Sequence, residues 1–260
     1  MSGEEKGAAL ITGAAHRIGK AIALQLAETG HPVAIHYHTS KDAAEELAGN
    51  ISALGGKAVA VRADLFDDEA TSGLIDKAAG ALGQKLSILV NNAACFEHDT
   101  ALSATRESWQ KNIETNLRAP FVLSQSLAYQ LPDRAGGCII NILDQRVWRL
   151  TQEFVTYTLA KSGLWTLTRT LALALAPEIR VNGIGPGPVL ASVHQKEADF
   201  SRELEALPLK HGPSLEEVAN CVNFILETPS MTGQMIALDG GQHLAGAGPS
   251  HGPQNPGEGK

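Results

Sequence analysis

Short apolar runs alternate along this chain with longer stretches in which apolar residues recur at helical spacing. Ala8-Ala9-Leu10-Ile11 reads as a buried strand. Ile18, Ala21, Ile22, Leu24 and Leu26 then mark a helix over 17–29, with Gly30 as its stop. The alternation continues with a strand at 32–37, a helix at 41–54 closed by Gly55-Gly56, a strand at 57–61 and a helix at 67–82 with Asp67 near its start. A strand at 86–90, a long helix at 109–131, a strand at 138–143 and a second long helix at 155–175 follow. A strand at 179–184, a helix at 216–227 and a strand at 234–238 complete the pattern. Strands alternating with helices predict parallel pairing through right-handed crossovers, and nearly continuous apolar strands predict a sheet covered on both faces. The expected fold is therefore α/β: a doubly wound, mainly parallel sheet of about seven strands, the Rossmann arrangement.

One dinucleotide-binding catalytic domain is expected over residues 1–244. Residues 245–260 hold eight Gly or Pro and no periodicity, and are expected to be a disordered tail. The polar, weakly helical stretch near 190–209 follows the carboxyl end of a strand, where ligands bind in such sheets, and is expected to be a substrate lid. With 43% apolar and 19% charged residues, a 260-residue chain can bury a sizeable core. A net charge of −7 and a pI near 5.7 argue against a nucleic-acid-binding surface. No signal-peptide pattern opens the chain, and no run approaches the roughly 20 apolar residues that span a bilayer. A cytoplasmic protein with no membrane partner is expected. Cys95, Cys138 and Cys221 are odd in number and far apart, and the nine histidines lack an HExxH, so neither disulfides nor a metal are expected.

The first strand runs into Thr12-Gly13-Ala14-Ala15-His16-Arg17-Ile18-Gly19 and then a helix. That order sets unpaired backbone N–H groups and the positive end of a helix against a phosphate. Gly13 permits the tight turn and Gly19 close helix–sheet packing, although an ordinary βα turn would carry similar glycines. The end of the second strand bears on the cofactor. An NAD site would usually carry an Asp or Glu there for the ribose 2′-hydroxyl. This chain has His36-Tyr37-His38-Thr39-Ser40 instead. His38, Thr39 and Ser40 can donate to a 2′-phosphate and Arg17 or His16 can supply charge, so NADPH is expected; alternatively His36 and His38 merely finish a strand. Asp64, followed by Leu65, could accept from the adenine amino group. Asn91-Asn92-Ala93 after the fourth strand would pack on the adenosine.

Tyr157 and Lys161 are four residues apart and share a helix face. An ammonium beside a phenol would stabilise phenolate and lower the tyrosine pKa, making a proton donor for a substrate that receives hydride. Such a pair alone more often marks a solvated helix face. Its place after a fifth strand, in a chain with a dinucleotide turn, favours chemistry. Asp144 ends that strand, thirteen residues before Tyr157. Asn116, within the first long helix, is either a satisfied core group or part of a water relay. Gly185-Pro186-Gly187 closes the sixth strand, where a stiff backbone suits the nicotinamide carboxamide.

Taken together, Thr12-Gly13-(x)5-Gly19, Asn91-Asn92-Ala93, Asn116, Tyr157-x-x-x-Lys161 and Pro186-Gly187 resemble the short-chain dehydrogenases/reductases over residues 8–244. Two departures, Arg17 at the middle glycine and Asp144 at the usual serine, are similar to the pteridine reductases, as are TGAAHRIG and HYHTS. The resemblance implies NADPH-dependent reduction of dihydropterins such as dihydromonapterin or dihydrobiopterin, and of dihydrofolate. It implies that His16, Arg17 and Ile18 line the cofactor turn, that Val189 follows the nicotinamide loop, and that Tyr157 and Lys161 also hold the ribose. It places Arg17 beside both phosphate and pterin, has Phe96 stack the pterin against the nicotinamide, and makes Asp144 and Tyr157 the proton-delivery pair. Ala94 and Cys95 occupy positions that are often serines in the trypanosomatid enzymes, which removes some polar contacts. A homotetramer built through the two long helices and the last strand is implied as well. Arg146, Trp148 and Arg149 line either the pocket or an interface.

The chemistry agrees with that branch. Reduction of a C=N bond puts hydride on carbon and a proton on nitrogen, and a carboxyl group passes protons where a serine only hydrogen-bonds. The competing readings are a ketone reductase, such as a 3-oxoacyl thioester reductase with Asp144 incidental, and a non-catalytic NADPH-binding sensor.

Overall fold

The structure is a computed structural model that describes residues 6–131, 136–191 and 196–245. Seven parallel strands form one sheet: β1 (Ala8–Ile11), β2 (Val33–Tyr37), β3 (Ala58–Arg62), β4 (Leu86–Asn91), β5 (Gly137–Ile142), β6 (Ile179–Pro186) and β7 (Met235–Leu238). Their order is β3-β2-β1-β4-β5-β6-β7, and every pairing is parallel. The chain reverses its direction of winding between β1 and β4. A crevice opens there at the carboxyl ends of the strands, the place where sheets of this kind bind ligands.

Helices α1 (Arg17–Glu28), α2 (Lys41–Ala53) and α9 (Leu215–Glu227) cover one face. Ile22, Leu26, Leu47, Val222 and Ile225 pack there on Ile11, Ile35, Val90 and Ile140. The other face is covered by α3 (Asp68–Ser72), α4 (Leu74–Leu82), α6 (Ala119–Gln130) and α7 (Val155–Ala174). Leu74, Leu82, Leu123, Leu127 and Leu171 pack there on Leu10, Leu89, Ile139 and Val181. Burial on both faces explains why β1, β2 and β5 read as nearly continuous apolar runs, with His36 and Asn141 the buried polar exceptions.

Three elements differ from the sequence expectation. The helix expected over 67–82 breaks at Gly73 into α3 and α4, where the backbone (φ −82°, ψ −6°) leaves helical values at a poor helix former. Asp67 does cap α3, accepting from the Ala70 N–H at 2.7 Å. The long helix starts earlier than expected, as α5 (Arg106–Ile113), and passes through a π-helical turn, Glu114–Arg118, into α6. Pro120 has no N–H to give to the Asn116 carbonyl four residues before it, so the regular ladder cannot run through this point. β6 extends to Pro186, so the glycine–proline segment forms the end of the strand.

Residues 192–195 of the expected lid, and 246–260 of the expected tail, lie outside the described residues. The rest of the lid segment carries α8 (Glu197–Glu205), which buries no residue. Among the described residues, no helix is long and apolar enough to cross a membrane.

Candidate active site

The turn after β1 is tied to the turn after β4. Thr12 Oγ1 accepts from the backbone N–H groups of Asn92 (2.9 Å) and Ala93 (3.0 Å), and Asn92 Nδ2 donates to the carbonyls of Thr12 (2.8 Å) and Gly13 (3.1 Å). Gly13 has φ +61°, and a Cβ there would lie 3.0 Å from the Ala93 Cα. A Cβ on Gly19 would lie 2.5 Å from the Gly13 carbonyl oxygen. Both glycines are therefore required by close backbone approach. His16 caps α1 without any side-chain hydrogen bond, so the first turn of that helix presents its N–H groups to the crevice.

Arg17 occupies the left-handed region at φ 51°, where a glycine would carry no strain. Its guanidinium crosses the crevice and donates to the carbonyls of Leu190 (3.0 Å) and Ala191 (2.9 Å). The phosphate turn is thus bridged to the chain that follows β6 and Val189. At the neighbouring strand end, the Gly187 N–H donates to Leu238, and a Cβ on Gly187 would lie 2.7 Å from the Asp239 Cα.

His36 does more than finish β2. Its Nδ1 accepts from the Gly13 N–H at 3.0 Å, which leaves Nε2 to donate to the Ala63 carbonyl at 3.3 Å. Burial lowers its pKa to about 4, with the Ala63 bond opposing. The ring is therefore neutral near pH 7 and locked in one tautomer. Replacing it with phenylalanine leaves the part-buried Gly13 N–H without its acceptor. His36→Phe should lower Tm by roughly 2–10 °C and weaken NADPH binding, as read by thermal unfolding with and without cofactor. An unchanged Tm and affinity would mean that the turn does not depend on this bond.

Beyond the ends of β2 and β3, His38 lies 3.6 Å from the Asp64 carboxylate, whose other oxygen accepts from the Phe66 N–H at 2.9 Å. Thr39 and Ser40 lead into α2, and Leu65 is buried behind Asp64.

Tyr157, Asp144 and Lys161 meet at the carboxyl end of β5. The Tyr157 hydroxyl donates to Asp144 Oδ2 at 3.0 Å, and Asp144 Oδ1 accepts from the Arg146 N–H at 2.8 Å. Lys161 is 2% exposed, donates from Nζ to the Ile142 carbonyl at 2.7 Å and lies 5.8 Å from the Tyr157 ring centroid. Burial lowers the Lys161 pKa to about 8, the Asp144 charge opposing. Burial raises the Asp144 pKa against the pull of Arg146, Tyr157 and Lys161. The Tyr157 pKa is pushed up as well, by burial and then by the Asp144 carboxylate. This corrects the expectation of a tyrosine acidified by Lys161. In the chain alone the nearest charge to the phenol is an anion, and the ammonium is spent on a carbonyl. The arrangement favours a neutral phenol hydrogen-bonded to a carboxyl group, a route for a proton.

Aromatic rings wall the site. Phe96 stacks on Phe154, with centroids 4.3 Å apart and planes 10° apart, and meets Tyr157 edge-on at 4.7 Å. The expected stacking partner of Phe96 was a substrate ring; Phe154 covers one of its faces. The Arg146 guanidinium lies 4.9 Å from the Phe154 centroid and 5.9 Å from that of Phe96. Arg146 therefore belongs to the pocket. Trp148 packs on Trp165 and His243, and Arg149 Nε donates to the Ala245 carbonyl, so both turn toward the carboxyl-terminal segment.

Asn116 is a satisfied group in the chain alone. Its Oδ1 accepts from the Cys95 N–H (2.8 Å), while its Nδ2 donates to the Cys95 carbonyl (2.9 Å) and to Asn112 Oδ1 (3.0 Å). Asn91 and Asn141 pair across β4 and β5 at 2.8 Å. Sequence reasoning missed the scaffold behind Phe96. Asn112 Nδ2 donates to Thr156 Oγ1, and Asp99 accepts from both the hydroxyl and the N–H of Thr156 and from Ser108. Burial opposes ionisation of Asp99, but the Thr156 and Ser108 bonds outweigh it and hold its pKa below the ordinary value. Phe154, at φ 56°, is fixed by its N–H to the Asp99 carbonyl at 2.7 Å. No motif announces these residues, because Asp99 meets Thr156 across 57 positions.

Comparison with known proteins adds three findings. The family profile described as "Enoyl-(Acyl carrier protein) reductase" matches residues 13–243. The chain is 32% identical over 241 residues to a 3-oxoacyl-[acyl-carrier-protein] reductase of Staphylococcus epidermidis, covering 91% of this chain and 98% of that one. Among solved structures it is similar to FolM alternative dihydrofolate reductase 1 in complex with NADP from two species. The Brucella suis protein is 46% identical with a TM-score of 0.90, covering 94% of this chain and 97% of that one. The Brucella canis protein is 44% identical with a TM-score of 0.91, covering 95% and 98%.

Proposed function

The chain belongs to the short-chain dehydrogenase/reductase family, and from that membership we propose an NADPH-dependent reductase of dihydropterins, of the dihydromonapterin, dihydrobiopterin or dihydrofolate class. The observation that carries this reading is the carboxyl group of Asp144 bonded to the Tyr157 hydroxyl. Two solved structures of FolM alternative dihydrofolate reductases, at 46% and 44% identity, support it. The cofactor is NADP(H). The uncapped first turn of α1, the two close-packed glycines and the absence of a carboxylate at the end of β2 fit its phosphates.

When bound, NADPH supplies the hydride. Tyr157 gives its hydroxyl proton to the substrate nitrogen, and Asp144 replaces that proton and is recharged from solvent. Lys161, anchored on the Ile142 carbonyl, would hold the ribose hydroxyls, and its charge would steady the transient phenolate. A flat substrate stacks on the face of Phe96 that Phe154 leaves, beside the Arg146 guanidinium. Asn116 sets the Cys95 backbone and so the entry to Phe96. The exposed Trp109 on α5 and Leu159 and Leu173 on α7 support a tetramer built through the long helices.

A second reading is a 3-oxoacyl thioester reductase, favoured by the 32% identity to curated enzymes of that name over nearly the whole chain. Loss of NADPH absorbance, with dihydromonapterin, dihydrobiopterin, dihydrofolate and a 3-oxoacyl thioester in parallel wells, separates the two. Turnover of the pterins and not the thioester is expected. Turnover of the thioester alone would return the protein to the ketone reductases.

A further inference from the structure

We infer that Arg62, at the end of the edge strand β3, reads the 2′-phosphate of NADPH and sets the preference over NADH. The inference rests on the cofactor being NADP(H). Tyr37 pairs in register with Arg62, so the arginine stands beside the last residues of β2, where the adenosine ribose is read in sheets of this kind. Its side chain is anchored there: Nε donates to the His38 carbonyl at 3.4 Å, and Lys77 Nζ holds the Arg62 carbonyl at 2.6 Å. Among the described residues, no acceptor meets its two terminal nitrogens and no carboxylate pairs with it. The residue is exposed. An arginine in that state presents a planar fork of donors suited to a phosphate.

Three neighbouring groups of this corner already have partners within the chain. His38 faces the Asp64 carboxylate at 3.6 Å, Lys41 pairs with Glu45 at 3.6 Å, and Arg17 is spent on the Leu190 and Ala191 carbonyls. Thr39 and Ser40 donate hydrogen bonds but carry no charge. A phosphomonoester with nearly two negative charges, next to Asp64, favours a cation whose donors have no partner in the chain, which the terminal nitrogens of Arg62 offer. NADH presents only a hydroxyl at the same place and gains nothing from Arg62.

The test is binding, not turnover. Dissociation constants for NADPH and NADH are measured by tryptophan fluorescence for the wild type, Arg62→Ala and Arg62→Lys. Thermal shifts with adenosine 2′,5′-bisphosphate and with ADP are run in parallel. Arg62→Ala should weaken NADPH by about 10- to 100-fold and leave NADH unchanged. It should abolish the extra stabilisation by the bisphosphate over ADP, and Arg62→Lys should recover part of it. Equal weakening of both cofactors, or a lowered Tm without ligand, would make Arg62 a brace for β2 and β3 and overturn the inference. Unchanged NADPH binding would overturn it as well. A wild type that binds NADH as tightly as NADPH would instead refute the cofactor reading, which the variants do not test.

Discussion

Replacing Tyr157 with phenylalanine should stop turnover while leaving the fold intact. In the proposed mechanism the phenol is the group whose proton reaches the substrate, and loss of a positioned general acid costs about 10²- to 10⁴-fold in rate. The structural cost is smaller. Phenylalanine keeps the ring that meets Phe96 edge-on, and Asp144 keeps the Arg146 N–H at 2.8 Å. One hydrogen bond is lost, of about 1–3 kcal/mol. Steady-state rates and thermal unfolding of the purified variant check this. NADPH should still quench fluorescence, since the phosphate turn lies on β1 and α1. Retained turnover would place the acid elsewhere and leave the Asp144–Tyr157 bond without its assigned role.

The placement of much of this candidate site was legible because its parts are local or fall at strand ends. The apolar runs gave the strands to within a residue or two, and the glycine turn between β1 and α1 lies where spacing put it. Tyr157 and Lys161 share a helix by a four-residue period that needs no tertiary knowledge. What was not legible depends on distant contacts. The left-handed backbone of Phe154 is held by Asp99, 55 residues earlier, and nothing in either residue's neighbourhood implies the other. His36 looked like a strand end, yet it wires Gly13 from 23 positions away. The Tyr157 pKa went the other way from the local argument for a related reason. A four-residue spacing brings the ammonium to the same face but does not fix its partner, and Ile142 claimed it. The π-helical turn at Glu114–Arg118 is different, since Pro120 was in view and forbids the regular bond to Asn116.

Replacing Asp144 with serine tests the pterin assignment. Serine still accepts from the Arg146 N–H that Asp144 now caps, so the short helix Gln145–Val147 should form as before. What disappears is a carboxyl group that can carry a proton. Dihydropterin reduction should fall at least about tenfold, or about 1.4 kcal/mol in the barrier, with NADPH affinity retained. The pH profile distinguishes proton supply from simple geometry. Burial raises the Asp144 pKa, so the carboxyl group holds its proton to a higher pH than an exposed aspartate. Wild-type kcat/KM for a dihydropterin should therefore fall as pH rises through that group, because the ionised form cannot resupply Tyr157. In Asp144→Ser that limb should vanish, leaving a low and flatter profile until Lys161, with a pKa near 8 in the chain alone, loses its charge. A variant with undiminished dihydropterin turnover and the same pH limb would make the carboxylate incidental. Thioester reduction that survives or improves in the same variant would favour the ketone reductases, in which a hydroxyl at this position only orients a carbonyl.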